Sequence, residues 1–403
     1  MTQSNLTPPP DTTNAQAATG ELVFFGEDWG RHPSTAQYLA RELFNDFNVT
    51  WINSIGLREP SLSRADMARV VGKVKRALGQ TQPPTDEPAP VEETSDPNHL
   101  LSPWIVPLHR YAMIRTANKT LFKRQFAQLA HLQNTPYAVV TANPASYYLL
   151  DTLAPTQSLY YCADKYAHIA GLNPTLVERF ERELLERVDT VVATSQPLAE
   201  DLAKHHRNVH YLPHGVDFER FNNTLRHEGH EGHENHEGEA VDPVIGFIGL
   251  LGEHIDFELI AASAAALPET KFLFVGPVEQ GVSLPAAPNI EYLGAVPQEA
   301  LPVQLARMSL CTLPYAMTQR NHYANPTKVR EYLAAGRAVV ATNQPGLVDI
   351  QGAVSIADDT DAYINALRAR LAELPVDRAS IAEPMRAETW AARANRLRSL
   401  LTP

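Results

Sequence analysis

The stretch VIGFIGLLGEHIDFELIAASAAALPETKFLFV, residues 244–275, decides the fold. Its apolar run at 244–249 ends in glycine, a helical pattern covers 257–266, and a second apolar run occupies 271–275. Two short apolar strands around one helix are typical of a parallel β-α-β unit, whose strands are covered on both faces and are therefore apolar throughout. We predict that this unit opens a doubly wound sheet.

The same alternation continues on both sides of this unit. Downstream, short apolar runs occupy 290–293, 310–313 and 338–341, and a helical pattern covers 328–335. Upstream, short apolar runs occupy 22–26, 49–55, 138–142, 158–162 and 190–194, and a helical pattern covers 34–47. Two such sets predict an α/β fold of two Rossmann-like, doubly wound domains that face a central cleft.

Three polar stretches divide the chain. Residues 1–20 and 80–98 hold too little apolar surface to fold, and 222–242 contains the run HEGHEGHENHEGE, which is typical of a flexible linker. The predicted order is a disordered tail (1–20), a first Rossmann-like domain (21–221) with a disordered loop (80–98), a linker (222–242), a second such domain (243–376) and a C-terminal helix (377–403). That helix either packs on the second domain or crosses back to the first.

Composition excludes several classes of protein. The net charge of -12, from 46 acidic and 34 basic residues, argues against a nucleic-acid binder. No apolar run approaches the roughly 18 residues that a membrane span needs, and the N-terminal stretch has no signal-peptide pattern. The two cysteines, Cys162 and Cys311, lie in apolar runs and are predicted to be reduced core residues. These features predict a cytoplasmic protein, either free or at the inner face of the membrane.

Ligands of open parallel sheets bind at the carboxyl ends of the strands, so the loops there carry the candidate site. After the first strand come Gly26, Asp28, Trp29 and His32. A glycine lets the backbone approach a ligand, and Asp28 and His32 could bind sugar hydroxyls; the alternative is a plain turn. The loop contains neither GxGxxG nor GxxxxGK[ST], which argues against a dehydrogenase and a P-loop nucleotidase.

Asp164 and His168 follow the strand at 158–162. A carboxylate and an imidazole four residues apart at the mouth of a sheet could position a substrate hydroxyl or transfer a proton. The competing interpretation is that Asp164 caps a helix.

The second half carries the strongest set of candidates. Gly249 and Gly252 lie in a glycine-rich loop whose N–H groups could face phosphate oxygens. In NPTKVREYLAAG, residues 325–336, Asn325 is predicted to cap a helix, with Pro326 in its first turn. Lys328 would then meet a phosphate near the helix N-terminus, and Glu331 one turn later could accept hydrogen bonds from two ribose hydroxyls.

Two further patterns have simpler explanations. The histidines of the linker recur every third residue, at His227, His230, His233 and His236, and could bind zinc or nickel, but the glycines between them favour a solvated linker. We expect no metal site. Residues 110–124 carry five basic and no acidic residues among apolar ones, which suits an anionic membrane surface or a lipid-pyrophosphate acceptor. A core-facing helix with a solvated basic face explains the same pattern.

The motifs together resemble a known family. NPTKVREYLAAGRAVVAT, with LPHGVDFERF upstream, is similar to the C-terminal half of GT-B glycosyltransferases, especially the family 4-like group (glycosyl transferases group 1) of cell-surface polysaccharide synthesis. The pieces YYCADKYAHIAGL, VVATSQPLAEDL, GFIGLLGEHIDFELI and FLFVGP fall in the family's order. The resemblance covers roughly residues 21–400.

The resemblance implies roles for individual residues. Glu331 matches the ribose-binding second glutamate of the family's paired-glutamate motif, and the loop at Gly249 matches its diphosphate loop. The donor-binding candidates are therefore Gly249, Gly252, Asn325, Thr327, Lys328 and Glu331. The catalytic candidates are Lys328, Asp164 and His168. Gly26 matches the loop near the donor phosphate and the acceptor, which puts Asp28, Trp29 and His32 on the acceptor side.

This chain departs from the family at two places. Tyr323 stands where the family has the first glutamate of the motif. His254 and Asp256 stand where the family has a basic pair after the glycine loop. Arg320, Lys328 or Arg330 would therefore have to supply the positive charge.

The resulting prediction is a retaining glycosyltransferase. It would move a sugar from a nucleoside diphosphate sugar, with UDP as the expected nucleotide and no cofactor, to a glycan or lipid-linked acceptor. Two alternatives remain, a non-catalytic GT-B protein of a glycan-assembly complex and a UDP-sugar 2-epimerase. Turnover of donor with and without an acceptor separates the three.

Overall fold

Seven parallel strands form the first sheet of the computed structural model, which describes residues 20–31, 34–58, 96–223 and 242–401. Its spatial order is β3-β2-β1-β4-β5-β6-β7. The strands are β1 (Gly20–Phe25), β2 (Phe47–Ile52), β3 (His99–Leu101), β4 (Tyr137–Thr141), β5 (Gln157–Cys162), β6 (Thr190–Ala193) and β7 (Val209–Tyr211). Most central-strand side chains are buried, as expected where helices cover both faces of a parallel sheet.

Helices on both faces complete the first half of the chain. They are α1 (Thr35–Leu43), α2 (Ala112–Phe126), α3 (Tyr147–Leu150), α4 (Pro174–Leu185), α5 (Gln196–Ala203) and α6 (Phe218–Asn222). Ser195 caps α5 by accepting a hydrogen bond from the Leu198 N–H, and Asp217 caps α6 in the same way through the Arg220 N–H. Both helices therefore begin where the sequence places a capping side chain.

Six parallel strands form the second sheet, in the order β10-β9-β8-β11-β12-β13. They are β8 (Val244–Ile248), β9 (Lys271–Val275), β10 (Ile290–Gly294), β11 (Leu310–Leu313), β12 (Val339–Thr342) and β13 (Val354–Ala357). The accompanying helices are α7 (Phe257–Ala266), α8 (Leu301–Ala306), α9 (Gln319–Tyr323), α10 (Thr327–Ala334) and α11 (Thr360–Ala372). The α/β fold of two doubly wound sheets is confirmed.

The strand order reverses at one point in each sheet. The first sheet grows from β1 toward β2 on one side and toward β4 on the other, and the second grows from β8 toward β9 and β11. Connections leave in opposite directions at such a point, which opens a crevice beyond the carboxyl ends of the two central strands. The loops after β1 and β8, which contain Gly26 and Gly249, lie at these two crevices.

The prediction of a single C-terminal helix from residue 377 onward is wrong. The segment forms α12 (Arg378–Ala382), a 3₁₀ turn, and α13 (Trp390–Leu401). Between the two helices, Glu388 accepts a hydrogen bond from the Val216 N–H, and Thr389 bridges to Val216. This link to a distant segment interrupts the helix.

The final helix α13 packs against α1 of the first half. The Trp390 ring stacks on Tyr38 at 5.2 Å between ring centres, and the Arg398 guanidinium donates to Asp46 at 2.6 Å. Trp390, Leu397 and Leu401 are buried in the same apolar cluster as β1 and β2. The chain therefore returns to its first half after completing the second sheet.

Several sequence predictions fall partly outside the described residues. These include the tail, most of the loop at 80–98, His32, and the four linker histidines His227, His230, His233 and His236. Within the described ranges, no cluster of three or more potential metal ligands is present, and no helix is long and apolar enough to cross a bilayer. Cys162 and Cys311 are buried free thiols, as predicted.

Candidate active site between the two sheets

The glycine loop after β8 is held close to α10. Tyr332 of α10 is buried, and its hydroxyl accepts from the Ile248 N–H at 2.8 Å and donates to the Ile248 carbonyl at 3.1 Å. The next residue, Gly249, has φ +158°, and a β-carbon there would collide with Cε of Lys328. The backbone conformation at residue 249 and the close approach of Lys328 both require glycine here. The Lys328 side chain therefore lies directly over the loop backbone.

A cluster of positive charge surrounds this loop. Burial, together with the nearby Arg320 and Lys328, lowers the pKa of His254 to about 4, whereas Glu279 opposes the shift. His254 is therefore neutral at physiological pH, and the two flanking cations carry the charge. A phosphate would be stabilised here by Arg320 and Lys328, although the basic pair that the family usually has is missing.

An acidic side chain occupies part of the same loop. The Glu279 carboxylate accepts a hydrogen bond from the Glu253 N–H at 3.3 Å, and a β-carbon at Gly252 would collide with it. The loop amide thus already binds an anionic group. Glu279 was missed in the sequence analysis, although its position shortly after β9, at a strand's carboxyl end, was a usable signal.

Glu331 lies one turn after Lys328 on α10. It is half-buried, and burial raises the pKa of its carboxyl group, while Lys328 and Arg220 favour its charged form and Asp217 opposes it. The carboxylate is therefore placed between the cation near the glycine loop and the start of α6.

The predicted capping role of Asn325 is wrong. Helix α10 begins after Pro326 with no side-chain cap. The Asn325 side chain instead accepts from the His214 N–H and from Arg330, each at 3.1 Å, and donates to the Gly346 carbonyl at 2.7 Å. Buried amides need partners for every polar atom, and two of these partners, His214 and Gly346, lie 111 and 21 residues away in the sequence. Asn325 therefore links the segment before α6 to the start of α10.

Arg330 does not supply charge to the glycine loop. Its side chain is fully buried and forms an ion pair with Asp349 on the far side of α10. Of the three cations considered from the sequence, only Arg320 and Lys328 lie beside His254. Asp256, which stands at one position of the family's basic pair, caps α7 by accepting from the Leu259 N–H at 2.8 Å.

The two halves of the chain meet at Asp164, His168 and Tyr323. Burial raises the pKa of Asp164, and the nearby Arg320 of the second half opposes that shift. The His168 ring lies 5.6 Å from the Tyr323 ring, and the Tyr323 carbonyl accepts a hydrogen bond from the Ser195 hydroxyl at 2.6 Å. The alternative that Asp164 caps a helix is wrong, because its carboxylate accepts from the adjacent Lys165 N–H and the 3₁₀ turn at 166–168 has no side-chain cap.

Tyr323, which stands in place of the first motif glutamate, also faces a cation. Lys165 lies 5.9 Å from the centre of the Tyr323 ring, within the range of a cation–π contact. Lys165 is in turn bound by Glu181 at 3.2 Å and by Asp201 at 2.7 Å. The aromatic ring thus packs on an ordered part of the first half where the family would place a carboxylate.

The loop after β1 is more strongly tied to its own sheet than the sequence suggested. A β-carbon at Gly26 would collide with the Trp51 ring, so this glycine is needed for packing. The Trp29 ring packs edge-on against Trp51 at 4.8 Å, and its indole N–H donates to Asp96 at 3.1 Å. Asp28 accepts from the Ser54 N–H at 3.2 Å. These contacts fix the loop, and they leave the acceptor roles of Gly26, Asp28 and Trp29 as predictions.

Known proteins share both the sequence pattern and the architecture. Residues 242–373, which contain the whole second sheet, match the family model described as glycosyl transferases group 1. This match covers about a third of the chain. The chain is also similar to TuaH of Bacillus subtilis (strain 168), a proposed teichuronic acid biosynthesis glycosyltransferase. The two are 28% identical over 212 residues. That match spans 48% of this chain and only 52% of TuaH, about half the length of each.

Solved structures show the fold across nearly the whole chain. HepE of Anabaena, determined with UDP and glucose, has a TM-score of 0.59 at 13% identity and covers 94% of this chain and 98% of its own. A UDP-forming trehalose-phosphate synthase from Burkholderia xenovorans has a TM-score of 0.60 at 11% identity, with coverages of 95% and 98%. The residues that match the family model thus form the second half of a two-domain GT-B fold.

Proposed function

We propose that this protein is a glycosyltransferase that moves a sugar from a UDP-sugar to a glycan or lipid-linked acceptor in cell-surface polysaccharide synthesis. The observation that carries the proposal is the position of Lys328 over the Gly249 loop, with Arg320 beside it and Glu331 one helical turn away. This arrangement suits the diphosphate and ribose of a nucleotide sugar. The family match, the similarity to TuaH and the fold shared with HepE, which was determined with UDP and glucose, support the same conclusion.

In this proposal the donor lies against the second sheet and the acceptor against the first. The departing UDP gains negative charge as the glycosidic bond breaks, and Lys328, Arg320 and the Gly252 amide stabilise that charge. The Gly249 N–H does not contribute, because it donates to the Val275 carbonyl at 2.8 Å. Asn325 holds the start of α10 in place, and Thr327 opens that helix beside the phosphate. Asp164 and His168 face this region from the first half, where they position the acceptor hydroxyl or take its proton.

The proposal includes retention of the anomeric configuration, which the family resemblance implies. NMR of the first product formed distinguishes retention from inversion through the anomeric coupling constant. Donor turnover that needs no acceptor and yields an epimerised sugar would instead favour the 2-epimerase.

Thermal unfolding with nucleotides tests the donor site. We expect UDP to raise Tm more than GDP or ADP, because a ligand that binds only the folded state stabilises it by mass action. EDTA should leave the shift unchanged, since the cations at the glycine loop are Arg320 and Lys328 and no metal is invoked. A UDP shift that disappears with EDTA would contradict a metal-independent site, and no shift with any nucleotide would favour the non-catalytic alternative.

The same measurement with Glu331→Ala tests the ribose contact. We expect about tenfold weaker UDP binding, the loss of roughly one charge-assisted hydrogen bond, with Tm of the free protein little changed. Because burial raises the pKa of Glu331 above its ordinary value, UDP affinity of the wild type should also fall as acidification protonates this carboxylate. Glu258→Ala, at an exposed position of α7, is the matched control. Unchanged UDP affinity in Glu331→Ala would overturn the ribose assignment.

Peripheral membrane contact through residues 110–124 belongs to the same proposal. Helix α2 buries Phe122 and Phe126 in the core, so the core-facing interpretation holds for one face. Met113 (84% exposed) at the start of α2, and Trp104 (55%) and Tyr111 (49%) before it, are exposed apolar side chains. Lys123 and Arg124, in the last turn of α2, are exposed as well. Exposed apolar side chains and cations on one segment suit an anionic bilayer surface.

Vesicle sedimentation tests this contact. We expect binding to phosphatidylglycerol vesicles, weakened by salt and by the double change Lys123→Glu and Arg124→Glu by about tenfold or more, because each cation contributes about 1 kcal/mol near an anionic surface. Phosphatidylcholine vesicles are the control. Equal binding to both lipids, or none to either, would contradict the proposal.

A further inference from the structure

A pocket of about 390 Å³ lies at the junction of the two halves, apart from the Gly249 loop. One wall is the start of α5, with Gln196, Pro197 and Glu200. The other walls are His322 at the end of α9 and the segments that follow β12 and lead into β13. None of the residues proposed above to bind the donor lines this pocket. Its volume is near the lower end of the ~300–1,000 Å³ typical of small-molecule sites.

Gln344, one of the residues that line the pocket, is held in a fixed orientation. Gln344 is 3% exposed, and its Nε2 donates to the Tyr315 carbonyl and to the Thr342 hydroxyl at 3.3 and 3.0 Å. These two acceptors fix the amide orientation, because an exchanged amide would turn its oxygen toward the Tyr315 carbonyl. Within the part of the chain that the structure describes, its Oε1 has no hydrogen-bond partner. This oxygen is also closed off from the pocket space, since it has almost no accessible surface, so a bound ligand would meet the other polar groups of the lining.

The remaining lining has the chemistry of a sugar site. Amides and a carboxylate supply both donors and acceptors, and the polar lining residues are Gln196, Glu200, His322, Asn343, Gln344 and Gln351. The apolar part of the lining is formed by Pro197, Pro345, Leu347, Val348 and Ile356, which can cover the C–H face of a pyranose ring. Neither lysine nor arginine lines the pocket, so the lining does not match a phosphate or a nucleoside diphosphate.

We propose that this junction pocket binds one neutral pyranose unit of a carbohydrate, whose hydroxyls pair with the polar side chains of the lining. The two walls come from different halves of the chain, so a bound sugar contacts both at once. The pocket is also adjacent to the reaction cleft along the chain, because His322 lines it while the neighbouring Tyr323 packs against His168. The site is separate from donor binding and does not depend on the proposed activity.

Saturation-transfer NMR on the full-length protein tests the proposal, with methyl α-D-glucopyranoside, N-acetylglucosamine and glucuronate as probes. We expect saturation transfer to at least one neutral sugar with millimolar affinity, as is usual for small polar ligands in half-open pockets. Glucuronate should bind more weakly because its carboxylate meets Glu200. No transfer to either neutral sugar, or stronger transfer to glucuronate, would overturn the assignment.

Two variants locate the bound sugar. Val348→Trp fills the pocket from a side chain that is 39% exposed, and should weaken sugar binding by about tenfold or more while leaving the UDP-induced Tm shift unchanged. Val303→Trp, at a position that is 62% exposed on α8 and outside the pocket, is the matched control. Glu200→Gln, also at an exposed position, should restore glucuronate binding relative to the neutral sugars. Sugar binding that survives Val348→Trp would place the sugar elsewhere.

Discussion

Lys328→Ala is expected to lower kcat/KM for the UDP-sugar by about 10²–10³. Lys328 lies over the Gly249 backbone next to Arg320, where the charge of the departing diphosphate would develop. Removing one preorganised group that stabilises developing charge typically has an effect of about this size. The measurement is UDP release from the donor in the presence of an acceptor.

Two control variants make this result specific to the Lys328 charge. Lys328→Arg keeps the cation and should retain part of the activity, although a planar guanidinium fits the narrow space above Gly249 less well. Lys271→Ala removes a surface lysine of the same half that pairs with Glu291, and should leave kcat/KM unchanged. Wild-type activity in Lys328→Ala with an intact Tm would contradict the role proposed for this lysine.

Gly249→Ala is expected to abolish measurable UDP stabilisation of the protein and to lower its own Tm. At φ +158° an L-residue is strained, at a cost of roughly 1–3 kcal/mol, and the added methyl group collides with Cε of Lys328. The lysine must then leave its place over the loop. Thermal unfolding with and without UDP measures both effects.

Gly352→Ala is the matched control for this change. A β-carbon at Gly352 meets no atom within 4 Å, and its φ lies outside the strained range. Its Tm and UDP shift should therefore equal those of the wild type. If Gly249→Ala bound UDP normally, neither the collision nor the diphosphate role of the loop could be correct.

Local pattern predicted most strands of the second half and its helices α7 and α10, but not helices α8, α9 and α11. The predicted helix at 257–266 and the strands at 271–275 and 310–313 have the observed bounds, and other ends differ by a few residues. Strands β3, β7 and β13 were not predicted. β3 and β7 are only three residues long and half-exposed, and the pairing that makes them strands depends on the neighbouring strand more than on their own sequence.

The candidate site was predictable only where backbone geometry dictates it. Gly249 and Lys328 were identified from a glycine-rich strand end and from a helix start, which are local signals. Asn325 was identified as part of the site but with the wrong role, because the partners that determine its orientation are His214 and Gly346. No local pattern reports contacts over such separations.

The sequence by itself determined that two parallel sheets form and that the Gly26 and Gly249 loops lie at their carboxyl ends. Strand and helix periodicity and glycine positions are properties of neighbouring residues, which a chain carries whatever its tertiary structure. Only the tertiary structure decided which cations serve the glycine loop, since it turns Arg330 into the core toward Asp349 and leaves Arg320 and Lys328 beside His254. Side-chain direction and burial depend on packing between distant segments, and electrostatics follows from burial.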